Sequence, residues 1–221
     1  MKRKSAFTLA EILVVLAIIG IVATLTLPGL LMSYRDKTYA SQLQRTYNLI
    51  SNAAAAQMLE DDVDDLSKST ITTATGVENF IKKNLKVSND CNFGQVADYC
   101  FADKYFSFEK SSTTKTIKQV AASSKYNTFS GNTRCYLLNT GATICMQPMK
   151  EYKLGGDYAG IIIDTNGQAG PNVNGLDLFR FAMDQYGNMN STPEYKCAAF
   201  PAGWDTCFLN YIRKTGWKMY K

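Results

Sequence analysis

The stretch from Asp164 to Asp177 carries residue types that bind hard cations. It reads DTNGQAGPNVNGLD, which supplies two carboxylates and several amide oxygens on a glycine-rich chain. Calcium takes about six to eight oxygen ligands of these kinds. The spacing is not that of an EF-hand, and a long turn in which Asn and Gly supply unusual backbone angles explains the same composition. If the stretch binds calcium, we expect Asp164 and Asp177 as anchors and Asn166 and Gln168 as further ligands.

The cysteines are the second set of reactive residues. No C-x-x-C spacing occurs and the chain has no histidine, so the pattern favours disulfides over a zinc site. About 15 pairings are open to six cysteines, and we expect sequence neighbours to pair, with Cys135 and Cys145 opposed across a hairpin. The six are Cys91, Cys100, Cys135, Cys145, Cys197 and Cys207.

The absence of histidine also bounds the function. It removes His-based catalytic triads and leaves a catalytic thiol without its usual base, so we expect no enzyme activity. The formal charge of +5 includes three cations at positions 2–4, and the rest of the chain is close to neutral. That balance gives no strong signal for electrostatic binding of nucleic acid.

Glu11 stands at the edge of a long apolar stretch. Uncharged residues continue from Ile12 to Tyr34, and about 20 such residues span a bilayer core as a helix. The basic start at positions 2–4 predicts a cytoplasmic N-terminus and an exported remainder. An ionisable group in a bilayer costs about 2.5–3.5 kcal/mol, so Glu11 is expected to have a partner and a function. A secretory signal peptide would have a shorter apolar core and would not carry this carboxylate.

Residues 6–11, AFTLAE, resemble the processing site of type IV prepilins and type II secretion pseudopilins. The resemblance implies that a prepilin peptidase cuts between Ala6 and Phe7 and that the new amine is methylated. It also implies a glutamate as the fifth mature residue, which is the place of Glu11. The family usually has glycine before the cut, where this chain has Ala6.

The resemblance extends into the apolar stretch. Gly20 and Pro28 fall where the family's helix has a flexible glycine and a kinking proline. It implies that the Glu11 carboxylate meets the Phe7 amine of a neighbouring subunit and sets the stagger between subunits. Some pseudopilins hold calcium in a loop between late strands, which adds weight to the cation interpretation above.

A long helix must carry these N-terminal residues. Four aspartates between positions 61 and 65 predict its end, because like charges are unfavourable at the negative end of a helix dipole. We interpret that cluster as a solvated helix end rather than a cation site. Residues at intervals near three and four predict that the helix continues to about Glu60. They are Leu27, Leu31, Tyr34, Thr38, Leu43, Tyr47, Ile50, Ala54 and Met58.

The remaining chain predicts a surface loop, a short helix and a sheet. Ser and Thr dominate residues 67–75, the predicted loop, and Glu78–Leu85 is typical of a short amphipathic helix with Phe80, Ile81 and Leu85 inward. Strands are predicted on both sides of the Asn-Thr-Gly turn at residues 139–141, over residues 158–163, and where Phe179, Phe181 and Met183 alternate. We therefore expect an α+β fold, in which a long N-terminal helix packs on a C-terminal antiparallel sheet. This is the pilin-like arrangement.

These observations predict four segments and one function. The segments are a cytoplasmic leader (1–6), a transmembrane half-helix (7–32), an amphipathic half-helix (33–60) and an exported head (61–221). The expected function is a structural subunit of a type IV pilus or a type II secretion pseudopilus. Its expected partners are prepilin peptidase, the cytoplasmic (inner) membrane, and copies of itself and other pilins.

A binding module is the alternative function. A minor pilin at a filament tip would capture DNA, a surface or a secretion substrate through its head. Trp204, Tyr211 and Trp217 could stack on such a ligand, although aromatic residues more often pack in a core.

Overall fold

The structure is a computed structural model, and the chain divides into two compact units, Met1–Thr38 and Tyr39–Lys221. It describes residues 7–91, 100–105, 115–116, 132–149, 159–190 and 211–219.

Helix α1 runs from Leu9 to Glu60, as the sequence predicts. By length and composition, it is the one helix in the described part of the chain that could cross a membrane, and its most apolar stretch is exposed. Pro28 lies inside the helix and cannot donate a hydrogen bond to the carbonyl of Thr24. The Thr24 hydroxyl donates to the Gly20 carbonyl at 2.7 Å, so this polar side chain is satisfied within the helix.

The end of α1 is a capped terminus. Asp62 has a φ of 52°, in the left-handed region, and the Val63 amide donates to the Met58 carbonyl. This is the Schellman pattern, which satisfies carbonyls at a helix end. The Asp61 carboxylate accepts hydrogen bonds from the amide and the hydroxyl of Thr70. The predicted helix end at the aspartate cluster is confirmed, and Asp61 also fastens the following segment.

That following segment corrects the sequence analysis. Residues 67–75 were expected to form a surface loop, but this region holds two 3-10 helices, Leu66–Lys68 and Thr70–Thr72. Leu66 and Ile71 are fully buried. The side chains of Asp65 and Ser69 accept backbone amides and cap the two turns. Ser and Thr therefore cap helical turns here. The polar composition of the segment did not reveal that Leu66 and Ile71 are buried.

Helix α2, Ala74–Asn84, confirms the predicted amphipathic helix, but it begins at Ala74 rather than at Glu78, and Leu85 caps its end. The Thr73 hydroxyl caps it by accepting the Gly76 amide at 3.0 Å. The predicted inward residues are buried: Phe80, Ile81 and Leu85.

The described strands form two antiparallel sheets in the C-terminal part. The strands are β1 Val87–Asp90, β2 Lys104–Tyr105, β3 Lys115–Thr116, β4 Arg134–Leu138, β5 Thr143–Met146, β6 Ala159–Asp164, β7 Leu178–Met183 and β8 Met189–Asn190. Six of them form one sheet, in the order β1-β4-β5-β6-β7-β8, and β2 and β3 pair separately. The predicted hairpin is confirmed, since β4 pairs with β5.

The central strands β5 and β6 are buried on both faces. On one face Ile161 and Ile163 join the core that contains the buried apolar residues of α1 from Ala40 onward. On the other face Ile162 joins a second core containing the four described cysteines. Alternate residues of a strand point to opposite faces, which explains why all of β6 is buried. The α+β fold, with the helix packed on the sheet, is therefore confirmed.

Two disulfides are confirmed in the predicted near-neighbour pairing, Cys91–Cys100 and Cys135–Cys145. Cys135 and Cys145 are directly opposite in the β4–β5 register. Cys197 and Cys207 lie outside the described residues.

Candidate functional sites at the N-terminus and between strands β6 and β7

Glu11 has a partner in its own chain. Its Oε2 accepts hydrogen bonds from the Thr8 amide at 2.8 Å and the Thr8 hydroxyl at 2.9 Å. In return, the Thr8 hydroxyl accepts the Glu11 amide at 3.2 Å. This is a reciprocal capping box, whose Thr-x-x-Glu signal is readable in the sequence but was not used in the prediction. The Oε1 oxygen takes no part in the box.

The other N-terminal candidates lie on an open surface of the first unit. Phe7 is exposed, and a Cβ on Gly20 would meet nothing within 4 Å, so packing inside this chain does not require that glycine. Ala6 lies outside the described residues. The apolar helix surface around Gly20 and Pro28 is therefore available to lipid or to other chains.

In the second unit, β6 and β7 bring Asp164 and Asp177 together. Asp164 ends β6 and is paired with Leu178, the first residue of β7. Asp177 therefore lies next to Thr165, whose amide donates to the Asp177 carbonyl at 2.8 Å. Both carboxylates are fully buried. We refer to residues 164–177 as the Asp164–Asp177 loop.

Each carboxylate closes a turn of this loop. Asp164 Oδ1 accepts the amides of Asn166 at 3.1 Å and Gly167 at 2.8 Å. Asp177 accepts the amides of Asn172 and Val173. Gly167 has a φ of +54°, and a Cβ there would approach the Gly141 carbonyl oxygen to 2.6 Å, so glycine is required. These residues therefore form turns, as one of the two interpretations of the sequence predicts.

The negative charges of Asp164 and Asp177 are unfavourable in this buried position. Burial and the neighbouring Asp177 charge raise the pKa of Asp164 well above its ordinary value. Burial also raises the pKa of Asp177, despite the hydrogen bonds that it accepts. Two buried carboxylates with raised pKa values favour either a bound proton or a bound cation.

Several oxygens of the loop have no hydrogen-bond partner among the described residues. They are buried acceptors of the kind that calcium binds, and leaving such a group unsatisfied costs about 1–3 kcal/mol. The oxygens are Asp164 Oδ2, Asn166 Oδ1, Asn172 Oδ1 and Asn174 Oδ1, and Asn174 Nδ2 is also unpartnered.

Four oxygens converge on one nitrogen of the loop, Asn166 Nδ2. It lies 3.2 Å from the Tyr39 hydroxyl, 3.2 Å from the Gly170 carbonyl and 3.3 Å from Asp177 Oδ2, and it also contacts the Ala169 carbonyl. An amide nitrogen has two hydrogens, so it cannot serve all four acceptors. The loop therefore concentrates more oxygens around this point than an amide can satisfy.

Of the predicted cation ligands, Asp164, Asn166 and Asp177 come together, whereas the Gln168 side chain is exposed. Sequence reasoning did not select Asn172 and Asn174, which are buried in the same loop. No group of three Asp, Glu, Cys or His side chains that could hold a metal ion occurs in the described ranges. A site here would consequently depend on amide and backbone oxygens as well as the two carboxylates.

The loop is tied to the segment that follows the first disulfide. Asn172 has a φ of 51°, and its Nδ2 donates to the carbonyls of Ala102 and Lys104. The Thr143 hydroxyl donates to the Cys100 carbonyl beside them. These hydrogen bonds connect the Asp164–Asp177 loop and strand β5 to the segment from Cys100 to Lys104.

Trp217, one of the aromatic residues considered for stacking on a ligand, packs against other residues of the chain instead. Its ring contacts Tyr47 of α1 edge to face, with 5.4 Å between ring centroids, and it packs against the main core. Trp204 lies outside the described residues.

Residues 1–27 match the family model described as the prokaryotic N-terminal methylation motif. No curated protein and no solved structure matches the chain. The motif is the cleavage signature of type IV prepilins and pseudopilins, so the resemblance drawn from residues 6–11 is confirmed. It supports a pilin-like substrate of prepilin peptidase and suggests a structural subunit. Together with the apolar start of α1, it fits membrane anchoring.

Proposed function

We propose that this chain is a structural pilin-like subunit that is cut before Phe7 and assembled through α1 into a type IV pilus or a type II secretion pseudopilus. The methylation motif over residues 1–27 carries the proposal. The head, residues 61–221, would be exported, and residues 7–32 would hold the subunit in the cytoplasmic membrane before assembly.

The exposed apolar surface supports assembly through α1. Large aliphatic side chains from Ile12 to Leu31 are about half exposed or more. A lipid bilayer satisfies such a surface, and once the subunit leaves the bilayer, equivalent helices of neighbouring subunits would have to cover it. A head-to-tail contact of this kind, repeated without closure, gives a helical filament. Gly20 and Pro28 would let the helix adapt to that packing.

Glu11 would set the register of the filament. Its Oε2 is held by Thr8, which fixes the carboxylate at the start of the helix. Oε1 would meet the methylated amine of Phe7 in a neighbouring subunit, and the pair would neutralise both charges in an apolar surrounding. The capping box therefore orients the group that the neighbour recognises.

Two replacements of Glu11 test this register. Glu11→Leu removes the charge and the capping box, whereas Glu11→Gln removes the charge but keeps an oxygen that can accept the Thr8 amide. We expect both variants to insert into the membrane at least as well as the unmodified chain, because the cost of a buried charge is gone. We expect both to be depleted from sheared filaments. Normal incorporation of Glu11→Gln would refute the charge pair and leave only a capping role.

We also propose that the Asp164–Asp177 loop holds a calcium ion in the head. Asp164 and Asp177 would supply the charge, and Asn166, Asn172 and Asn174 would supply amide oxygens. The buried oxygens of the loop that have no partner in the described part of the chain support this assignment. Calcium would then stabilise the head, and a chelator would remove that stabilisation.

A further inference from the structure

The loop also touches the helix that would build the filament. The Tyr39 hydroxyl lies 3.2 Å from Asn166 Nδ2, although the two residues are 127 positions apart in the chain. Tyr39 belongs to α1 and to the same compact unit as the loop, and its ring packs against the main core. A change in the orientation of the Asn166 amide would therefore alter a hydrogen bond to a side chain of α1.

The orientation of that amide depends on what occupies the loop. In the structure, Nδ2 faces the Gly170 and Ala169 carbonyls and Asp177, while Oδ1 is buried without a partner among the described residues. A cation at this point would need an oxygen, because an amide nitrogen has no lone pair to offer a metal ion. The amide would turn over and bring Oδ1 to the ion. In that state the Tyr39 hydroxyl, which accepts a hydrogen bond from Nδ2 in the structure, would donate one to Oδ1.

We infer that Tyr39 is a positioning residue of the cation site and that its hydroxyl couples occupancy of the loop to helix α1. The inference rests on the proposed calcium site. A hydroxyl suits this role because it can accept from the nitrogen in one state and donate to the oxygen in the other. By reciprocity, whatever fixes Tyr39 and its helix in an assembled filament also changes the affinity of the loop for the ion.

The two states predict the sign of a Tyr39→Phe replacement. With Nδ2 oriented as in the structure, loss of the hydroxyl leaves three acceptors for the two hydrogens of Nδ2, so little is lost. In the occupied loop, it removes the donor that holds Oδ1 toward the ion. We expect Tyr39→Phe to bind calcium about fivefold more weakly, which corresponds to one hydrogen bond of about 1 kcal/mol.

The test uses the full chain in detergent micelles, with calcium as ligand and terbium as a luminescent calcium substitute. A tyrosine close to a bound terbium ion sensitises its emission, so Tyr39→Phe should reduce the sensitised signal and weaken calcium binding about fivefold. Tyr47→Phe is the matched control, since Tyr47 lies on the same helix but contacts Trp217. It should leave both quantities unchanged. In the unmodified chain, calcium should also slow amide exchange in α1 around Tyr39.

The outcomes separate the two proposals. If the unmodified chain binds neither calcium nor terbium, the calcium site and the coupling both fail, while the proposed filament role is untouched. If it binds calcium and Tyr39→Phe has an unchanged Kd, Tyr39 is not a positioning residue, even if the terbium signal falls. Unchanged amide exchange in α1 on calcium binding would also overturn the coupling.

Discussion

Replacement of Asp164 by Asn offers a sharp test of the cation site. The replacement keeps an oxygen that can accept the amides of Asn166 and Gly167, but removes one of two buried charges. Without calcium, we expect stability equal to or above that of the unmodified chain, because burying an unpaired charge is unfavourable. With calcium, we expect the variant to lose the stabilisation that the unmodified chain gains.

The size of that gain follows from mass action. A site with a Kd of about 10⁻⁴ M in about 10 mM calcium gains about 2.7 kcal/mol, which is about 5–10 °C in melting temperature for a domain of this size. Asp184→Asn is the matched control. Asp184 also accepts backbone amides in a turn, from Tyr186 and Asn188, but outside the Asp164–Asp177 loop. We expect calcium to stabilise the control as much as the unmodified chain.

The pH dependence of stability gives a second, independent test of the cation site. In chelator the folded protein holds Asp164 and Asp177 at a raised pKa, so it binds protons more tightly than the unfolded chain, and stability falls as pH rises through the folded pKa. The pKa values of Asp61 and Glu78 are lowered, so their contribution to stability is lost only in more acidic solution.

With calcium bound, we expect stability to rise with pH instead, because the ion needs deprotonated carboxylates. The assay is thermal unfolding of the full chain in detergent at about pH 5 and about pH 7, with calcium and with chelator. Equal melting temperatures in calcium and chelator at neutral pH would refute the site. A calcium shift that survives in Asp164→Asn would refute the assignment of Asp164 as an anchor.

Two further predictions concern the head. Reduction of the disulfides should lower its melting temperature, because each bridge contributes about 2–4 kcal/mol, and an unchanged melting temperature after verified reduction would contradict this. Ile71→Ala should destabilise the head by about 2–5 kcal/mol in denaturant unfolding, since Ile71 is fully buried, whereas the partly buried Thr72→Ala should cost less. Equal effects of these two replacements would mean that Ile71 does not anchor the segment.

The long elements of the fold could be predicted because their patterns are strong. The apolar stripe of α1 extends over many turns, and the hairpin is marked by a turn tripeptide between two β-prone runs. The segment before α2 was predicted wrongly because Ile71 and Leu66 are isolated apolar residues among serines and threonines. A local composition cannot show that hydroxyls cap turns instead of facing water.

The candidate sites show the same limit. The Thr8–Glu11 capping box was present in the sequence, but Glu11 was considered only as a charge in a membrane. In the Asp164–Asp177 loop the two carboxylates could be selected because strands on both sides bring them together. Which amides turn inward depends on the path of a long turn, and that path is set by contacts with Ala102, Lys104 and Tyr39, distant in sequence.

The central claim is that the chain is processed as a prepilin, and the mass of its mature N-terminus tests this most directly. Protein would be purified from its native membrane and from the same cells lacking prepilin peptidase, then analysed by mass spectrometry of the N-terminal peptide. We expect the first sample to begin at a methylated Phe7 and the second to keep residues 1–6. An intact leader ending in Ala6 in both samples would contradict the account.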